Sequence, residues 1–244
     1  MQQNIYTSIL DSKTKNEKLF AVLVDPDKFD SQKIVSVCDS GNVDFIMVGG
    51  SIITNGNFEE CVLTIKKLTK IPVVIFPGNS MQISKNADAI LLLSLISGRN
   101  PEMLIGNHVL AAAKLKTSKL EILPTGYMLI ESGKQTSALY MSNSNPIPSD
   151  KDDIAMATAM AGEMLGLKLL YLDAGSGALN GVSKSMINKV SLNTSIPLIV
   201  GGGINSAEKA ILACKAGADM VVVGNAIEKD LSLIKKISKA VHSF

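Results

Sequence analysis

Hydrophobic residues fall along the chain in short runs that lack the strict alternation of a half-exposed strand. The runs are FAVLVD from Phe20, DFIMVGG from Asp44, PVVIFPG from Pro72, DAILLLSLI from Asp88, EILPTGYMLI from Glu121, LKLLYLDAG from Leu167, PLIVGGG from Pro197 and DMVVVGN from Asp219. Such runs fit parallel strands covered on both faces. Most are followed by a stretch with helical spacing and then by polar breakers, so the chain reads as repeated βα units. An open doubly wound sheet usually carries a glycine fingerprint after its first strand, whereas here the glycines gather after the second, sixth, seventh and eighth runs. The pattern predicts an α/β protein, a closed (β/α)8 TIM barrel forming one domain over residues 1–244.

Two segments break the regularity. Only Asn79–Ala87 separate the third and fourth runs, fewer than the roughly dozen residues that a parallel crossover needs. The third helix is therefore predicted to be shortened or missing. Such a stretch is either a plain connection or a gap in the outer ring of helices. A barrel interior is filled by side chains, so a long apolar ligand would need an external cleft of the second kind. In the segment Gly126–Pro148, a turn-like Glu131–Gln135 lies between two strand-like runs and predicts a hairpin extending from the fifth strand. Acidic residues at Asp150–Asp153 then mark a helix start. Within that helix Met156, Met160 and Met164 read as core filler.

Length and composition agree with one large core: 244 residues, 46% hydrophobic, against roughly 250 residues for a typical barrel of this kind. Lysine and arginine number 24 and aspartate and glutamate 22, a net charge of +2. No electrostatic footprint for nucleic acid or an anionic membrane results, and any bound anion has to be held locally. The longest apolar runs fall far short of the roughly 18 residues of a transmembrane helix. Cys38, Cys61 and Cys214 are scattered without metal-like spacing, and the chain opens on polar MQQNIYTSILDSKTKNEK. A reduced, cytoplasmic protein is expected.

The active site of a parallel barrel lies at the C-terminal ends of its strands, so the polar residues closing each run are the candidates. These are Asp25, Asp27, Ser51, Thr54, Asn79, Ser94, Ser97, Thr125, Tyr127, Tyr171 and Asp173. Gly201–Gly203 and Gly224–Asn225 let backbone N–H groups approach an anion, at the place where barrels of this kind hold phosphate. Taken singly, such glycines also serve to make tight turns. Asp25, at the end of LVDPDK, is a candidate Mg2+ ligand with Ser51, since Mg2+ takes few protein carboxylates and completes its shell with water and phosphate. Asp173 closes YLDAGSG beside a second small loop and is a candidate base. His108 and His242 fall at a helix start and in a last helical turn, positions that suit surface or capping roles. Lys28 lies near the first turn, but no lysine closes a strand from within the barrel, which argues against a Schiff-base aldolase.

VDPDK, IMVGGS, FPGN, LPTGY, YLDAGSG, IVGGGI and VVVGNAIE, in this order from Phe20 to Glu228, resemble the geranylgeranylglyceryl phosphate synthase family, which also includes heptaprenylglyceryl phosphate synthases. The resemblance implies a Mg2+-dependent prenyltransferase of ether-lipid synthesis. It would join a polyprenyl diphosphate, geranylgeranyl in the first instance, to the sn-3 hydroxyl of sn-glycerol 1-phosphate. By the same resemblance Asp25 and Ser51 hold Mg2+. Glycerol phosphate is surrounded by Tyr171, Leu172, Asp173, Ala174, Gly175, Ser176, Gly177, Gly202, Gly203, Gly224 and Asn225, with Asp173 orienting or deprotonating the hydroxyl. A homo-oligomer is also implied, with Tyr127 and Tyr140 of the expected hairpin as a contact. The chain departs from the family pattern at Asp173, where glutamate is frequent, and at Leu23, where some members carry a lysine that contacts phosphate. The competing readings are a phosphosugar isomerase or epimerase on the same barrel, which needs a paired acid and base, and a non-catalytic phosphate-binding barrel.

Overall fold

All eight apolar runs form strands in the computed structural model, which describes residues 4–29 and 31–244. They are β1 (Leu19–Val24), β2 (Phe45–Val48), β3 (Val73–Ile75), β4 (Ala89–Leu95), β5 (Glu121–Leu129), β6 (Leu169–Asp173), β7 (Leu198–Gly201) and β8 (Met220–Val223). Every neighbouring pair is parallel, and β1 pairs with both β2 and β8, so the sheet closes into the expected barrel. Alternation along each strand divides its side chains between two cores. In β1, Phe20, Val22 and Val24 face the helices, while Leu19, Ala21 and Leu23 face the barrel interior with Phe45, Met47, Leu91 and Leu123.

The helices are α1 (Ile5–Thr14), α2 (Ser31–Ser40), α3 (Phe58–Leu68), α4 (Asn107–Ser118), α5 (Ser137–Ser142), α6 (Asp152–Met164), α7 (Lys184–Asn193), α8 (Ala207–Ala216), α9 (Asn225–Lys229) and α10 (Leu233–Val241). Helix α1 is not evident from the apolar pattern, because only Ile5 and Ile9 of it are buried. Both pack into the interior core. The Glu121 carboxylate, at the start of β5, accepts the N–H groups of Ile5 and Tyr6 at 2.6 and 2.9 Å, and Lys13 pairs with Asp219 at 2.7 Å. These contacts fix α1 across the N-terminal end of the barrel, so the cavity of the fold opens at the other end. Among the described residues no helix is long and apolar enough to cross a membrane.

The third crossover helix, due between β3 and β4, is missing, as the spacing predicts. Residues 76–88 run from β3 to β4 in turns. Buried Gln82 pins this connection: its amide donates to the Gly50 carbonyl at 2.8 Å and accepts the Gly78 N–H at 3.0 Å. The hairpin after β5 does not form. Ile130 makes one isolated, parallel bridge to Ile147, and the run taken for a returning strand is helix α5. Thr136 caps that helix by accepting the Leu139 N–H, and Asn143 in the left-handed region ends it. His242 follows α10 and pairs with Asp44 at 2.8 Å, so its expected capping place holds. The three cysteines are free and buried; burial pushes the thiols up to about 12, 12 and 11 for Cys38, Cys61 and Cys214, which leaves them poor nucleophiles.

Candidate active site

The C-terminal ends of the strands open on a cavity of about 940 Å3. One wall is built by three consecutive loops: Gly175–Gly177 after β6, Gly202–Gly203 after β7 and Gly224–Asn225 after β8. Gly202 has φ +78°, and a Cβ there would lie 2.5 Å from the Gly175 nitrogen, so only glycine lets the two loops meet. Among the described residues, the backbone N–H groups of Gly177, Gly202, Gly203 and Gly224 have no acceptor within the chain. Unpaired backbone donors on adjoining loops of one cavity wall are the groups an anion cradle uses. Helix α8 starts further on and is capped separately by Ser206, which accepts the Lys209 N–H at 3.3 Å.

Asp173 ends β6 beside this wall and is only 7% exposed. One oxygen accepts the Gly175 N–H at 2.7 Å; the other accepts the Tyr127 hydroxyl at 2.6 Å. Burial raises its pKa above the ordinary value, and these two hydrogen bonds hold the rise in check. Tyr127 and Tyr171 are pushed well above the usual phenol range by burial and by the Asp173 charge, so both stay protonated. Phe76 stacks on Tyr171 with ring centroids 5.3 Å apart and meets Tyr127 edge-on at 5.8 Å. The three rings make a rigid floor under the cavity. Leu172 and Ala174 do not line it. Strand alternation turns Leu172 toward the helices, and the Ala174 N–H is taken by the Gly201 carbonyl at 3.1 Å. Tyr127 is likewise buried, which removes it as an oligomer contact; Tyr140 on α5 is 72% exposed.

Asp25 and Ser51 line the β1–β2 arc of the rim, roughly opposite β6 in the strand order. Asp25 accepts the Asp27 N–H at 3.1 Å and stands 3.3 Å from the Lys28 ammonium, which also pairs with Glu228 at 3.1 Å. Asp27 is committed elsewhere. It gathers the N–H groups of Thr54, Asn55 and Gly56 at 2.9, 3.0 and 2.5 Å, and these bonds lower its pKa to about 2. Among the described residues no three metal-binding side chains cluster. A single rim carboxylate with a neighbouring hydroxyl is still the donor set that Mg2+ uses when phosphate oxygens and water complete its shell, so these residues fit the ion. Leu23 packs beside Gly224 and brings no charge.

The remaining rim residues divide. Thr54 is held by Asp27, the Ser97 hydroxyl accepts the Leu129 N–H at 3.0 Å and Thr125 bonds the Leu123 carbonyl at 2.8 Å, all structural contacts. Asn79 and the apolar side chains Ile83, Ile90, Leu92, Met103 and Leu115 continue the cavity outward between β3, β4 and α4. This groove occupies the place of the missing third helix. His108 also faces the groove rather than the outer surface: its Nε2 lies 3.2 Å from the Ser94 hydroxyl, its buried Nδ1 has no partner, and burial lowers its pKa. No local signal marks such a residue, since it sits on a helix and not at a strand end.

The model of the PcrB family matches residues 12–241. A geranylgeranylglyceryl phosphate synthase from Chitinophaga pinensis is 56% identical over 100% of this chain and 98% of its own. One from Korarchaeum cryptofilum is 40% identical over 92% of this chain and 95% of its own. The crystal structure of (S)-3-O-geranylgeranylglyceryl phosphate synthase from Thermoplasma acidophilum, in complex with sn-glycerol-1-phosphate, superposes with a TM-score of 0.93 at 32% identity. That match covers 99% of this chain and 100% of the other. With its barrel, its glycine wall and its aspartates in place, the chain belongs to the PcrB family, the prenyl-transferring enzymes whose curated members carry the name geranylgeranylglyceryl phosphate synthase.

Proposed function

We propose that this chain transfers a polyprenyl group, geranylgeranyl in the first instance, from its diphosphate to the sn-3 hydroxyl of sn-glycerol 1-phosphate. The bond from the prenyl C1 to diphosphate breaks, a bond from C1 to the glycerol oxygen forms, the hydroxyl gives up its proton and diphosphate leaves. One arrangement carries the reading: going round the rim, Asp25 and Ser51 come first, then the apolar groove at β3 and β4, then Asp173 and the glycine wall of β6 to β8. A diphosphate at Asp25 has its tail beside the groove and its C1 facing the acceptor end.

At the acceptor end the orphan N–H groups take the phosphate, and Asp173 takes the hydroxyl or its proton. A carboxylate whose proton affinity is raised by burial is a stronger base than a solvated one. Tyr127 and Gly175 hold that carboxylate in one orientation. At the donor end Asp25 and Ser51 would hold Mg2+ and Lys28 stands beside them; when bound, Mg2+ draws charge from the departing diphosphate. In the groove each buried methylene contributes about 0.8 kcal/mol, so the tail supplies binding while the rim residues act on the head. Reduced cytoplasmic conditions and a homo-oligomer belong to the same proposal, with exposed Tyr140 as one contact.

Incubation with labelled sn-glycerol 1-phosphate, Mg2+ and prenyl diphosphates of several lengths is expected to yield a labelled, organic-soluble ether and free diphosphate. No transfer from any donor would overturn the reading.

A further inference from the structure

The glycine wall has to hold a dianionic phosphate beside Asp173, an anion, in a chain whose net charge is only +2. Backbone N–H groups supply hydrogen bonds but no full charge. Among the lysines near the wall, exposed Lys229 at the end of α9 also lines the cavity, while two others are engaged or displaced. Lys28 is shared between Asp25 and Glu228, and Lys209 donates to the Gly203 carbonyl at 3.1 Å from outside the cavity. Lys134 differs from both. Its Nζ lies over Gly177, where a Cβ would stand 3.5 Å from it. It lines the same cavity. Among the described residues its ammonium has no carboxylate within salt-bridge distance.

The loop carrying Lys134 is tied to the loop after β6 on both sides. Before it, the Ser132 carbonyl accepts the Asn180 N–H at 3.0 Å, and the Ser132 hydroxyl donates to the carbonyl of Lys134 itself at 3.2 Å. After it, Thr136 rests on Gly175, where a Cβ would meet Thr136 Oγ1 at 2.5 Å. Ser132 and Thr136 are both buried. The backbone is thus fixed while the ammonium stays uncommitted above the cradle. We infer that Lys134 is the cation that grips the acceptor phosphate, closing over the glycine wall from the β5–α5 loop. The assignment rests on the acceptor proposed above and adds to it a binding residue that no strand end reveals.

The test compares wild type, Lys134→Met and Lys134→Arg. Calorimetric titration with sn-glycerol 1-phosphate, without donor, is read beside steady-state kinetics in both substrates. Lys134→Met is expected to weaken acceptor Kd and KM by about 10- to 100-fold, the scale of one charge-assisted contact, with kcat within about 3-fold and donor KM unchanged. Lys134→Arg, which keeps a charge able to bond phosphate, is expected to regain about 10-fold or more of the acceptor affinity that Lys134→Met loses. Equal acceptor affinity in wild type and Lys134→Met would overturn the assignment of Lys134 alone, as would a fall in kcat with acceptor KM unmoved. Wild-type protein that takes up no sn-glycerol 1-phosphate would overturn the acceptor reading and this inference together.

Discussion

Asp173→Asn is expected to cut prenyl transfer by about 10²- to 10⁴-fold, the usual span for a lost general base, while acceptor binding changes by less than about 10-fold. The same substitution is expected to change how stability depends on pH. Burial raises the Asp173 pKa above its unfolded value, so the folded state prefers the protonated form and the ionised carboxylate costs stability. Asparagine removes that cost and can accept the Gly175 N–H through its oxygen, but its amide then faces the Tyr127 oxygen and the buried phenol proton loses its acceptor. The relieved charge and the lost acceptor are each of the order of 1 kcal/mol, so the pH dependence carries the test and not the absolute stability. The sign of the pH dependence follows: the stability of the variant relative to wild type is highest at neutral pH and falls as the solution is acidified through the raised pKa toward the unfolded value. The acid limb of kcat/KM in the wild type should also sit above the ordinary aspartate range. Thermal melts and rate profiles of the two proteins across pH check both statements. Equal losses of transfer and of acceptor affinity would leave Asp173 a binding role only.

Asp25→Asn should remove Mg2+-dependent transfer, by about 10³-fold or more, and leave the fold in place. An amide keeps the short contact to the Asp27 N–H that caps the turn at Pro26–Lys28, so melting should shift by no more than about 1 kcal/mol. It lacks the charge that holds a divalent ion and that pairs with Lys28. Because Asp25 lies on the β1–β2 arc and the glycine wall on β6 to β8, affinity for sn-glycerol 1-phosphate measured without donor should be unchanged. Mg2+ titrations of rate, with melting curves alongside, are the measurement. Turnover retained at ordinary Mg2+ would remove the metal assignment and leave Lys28 and backbone groups to hold the diphosphate.

The barrel was legible because a strand buried on both faces leaves an unmistakable apolar run, and the spacing of Asn79–Ala87 left no room for a crossover helix. What the runs could not reveal depends on tertiary contact. Helix α1 buries only Ile5 and Ile9 and owes its place to Glu121, distant in sequence. The segment after β5 reads as a second strand because SALYM is apolar, but Thr136 and Asn143 cap it as a helix. In the site, the rule that polar residues close strands located Asp25, Ser51, Tyr127 and Asp173 on one cavity. Strand alternation, applied to YLD, would also have separated Leu172 from Tyr171 and Asp173. The same rule misses Lys134 and His108, which enter the cavity from a loop and a helix and are brought there only by packing. It also leaves the partner of Tyr127 open: a buried phenol bonded to Asp173 and an exposed one at an interface look alike in sequence.

The two-ended pocket is tested most directly by a crystal structure of the protein with sn-glycerol 1-phosphate, Mg2+ and a non-reactive geranylgeranyl diphosphate analogue. The acceptor phosphate is expected against Gly177, Gly202, Gly203 and Gly224, the diphosphate beside Asp25, and the tail along Ile90, Leu92 and Leu115 in the groove left by the missing helix. Density for the tail on any other face of the barrel, or a diphosphate lodged on the glycine wall, would contradict it.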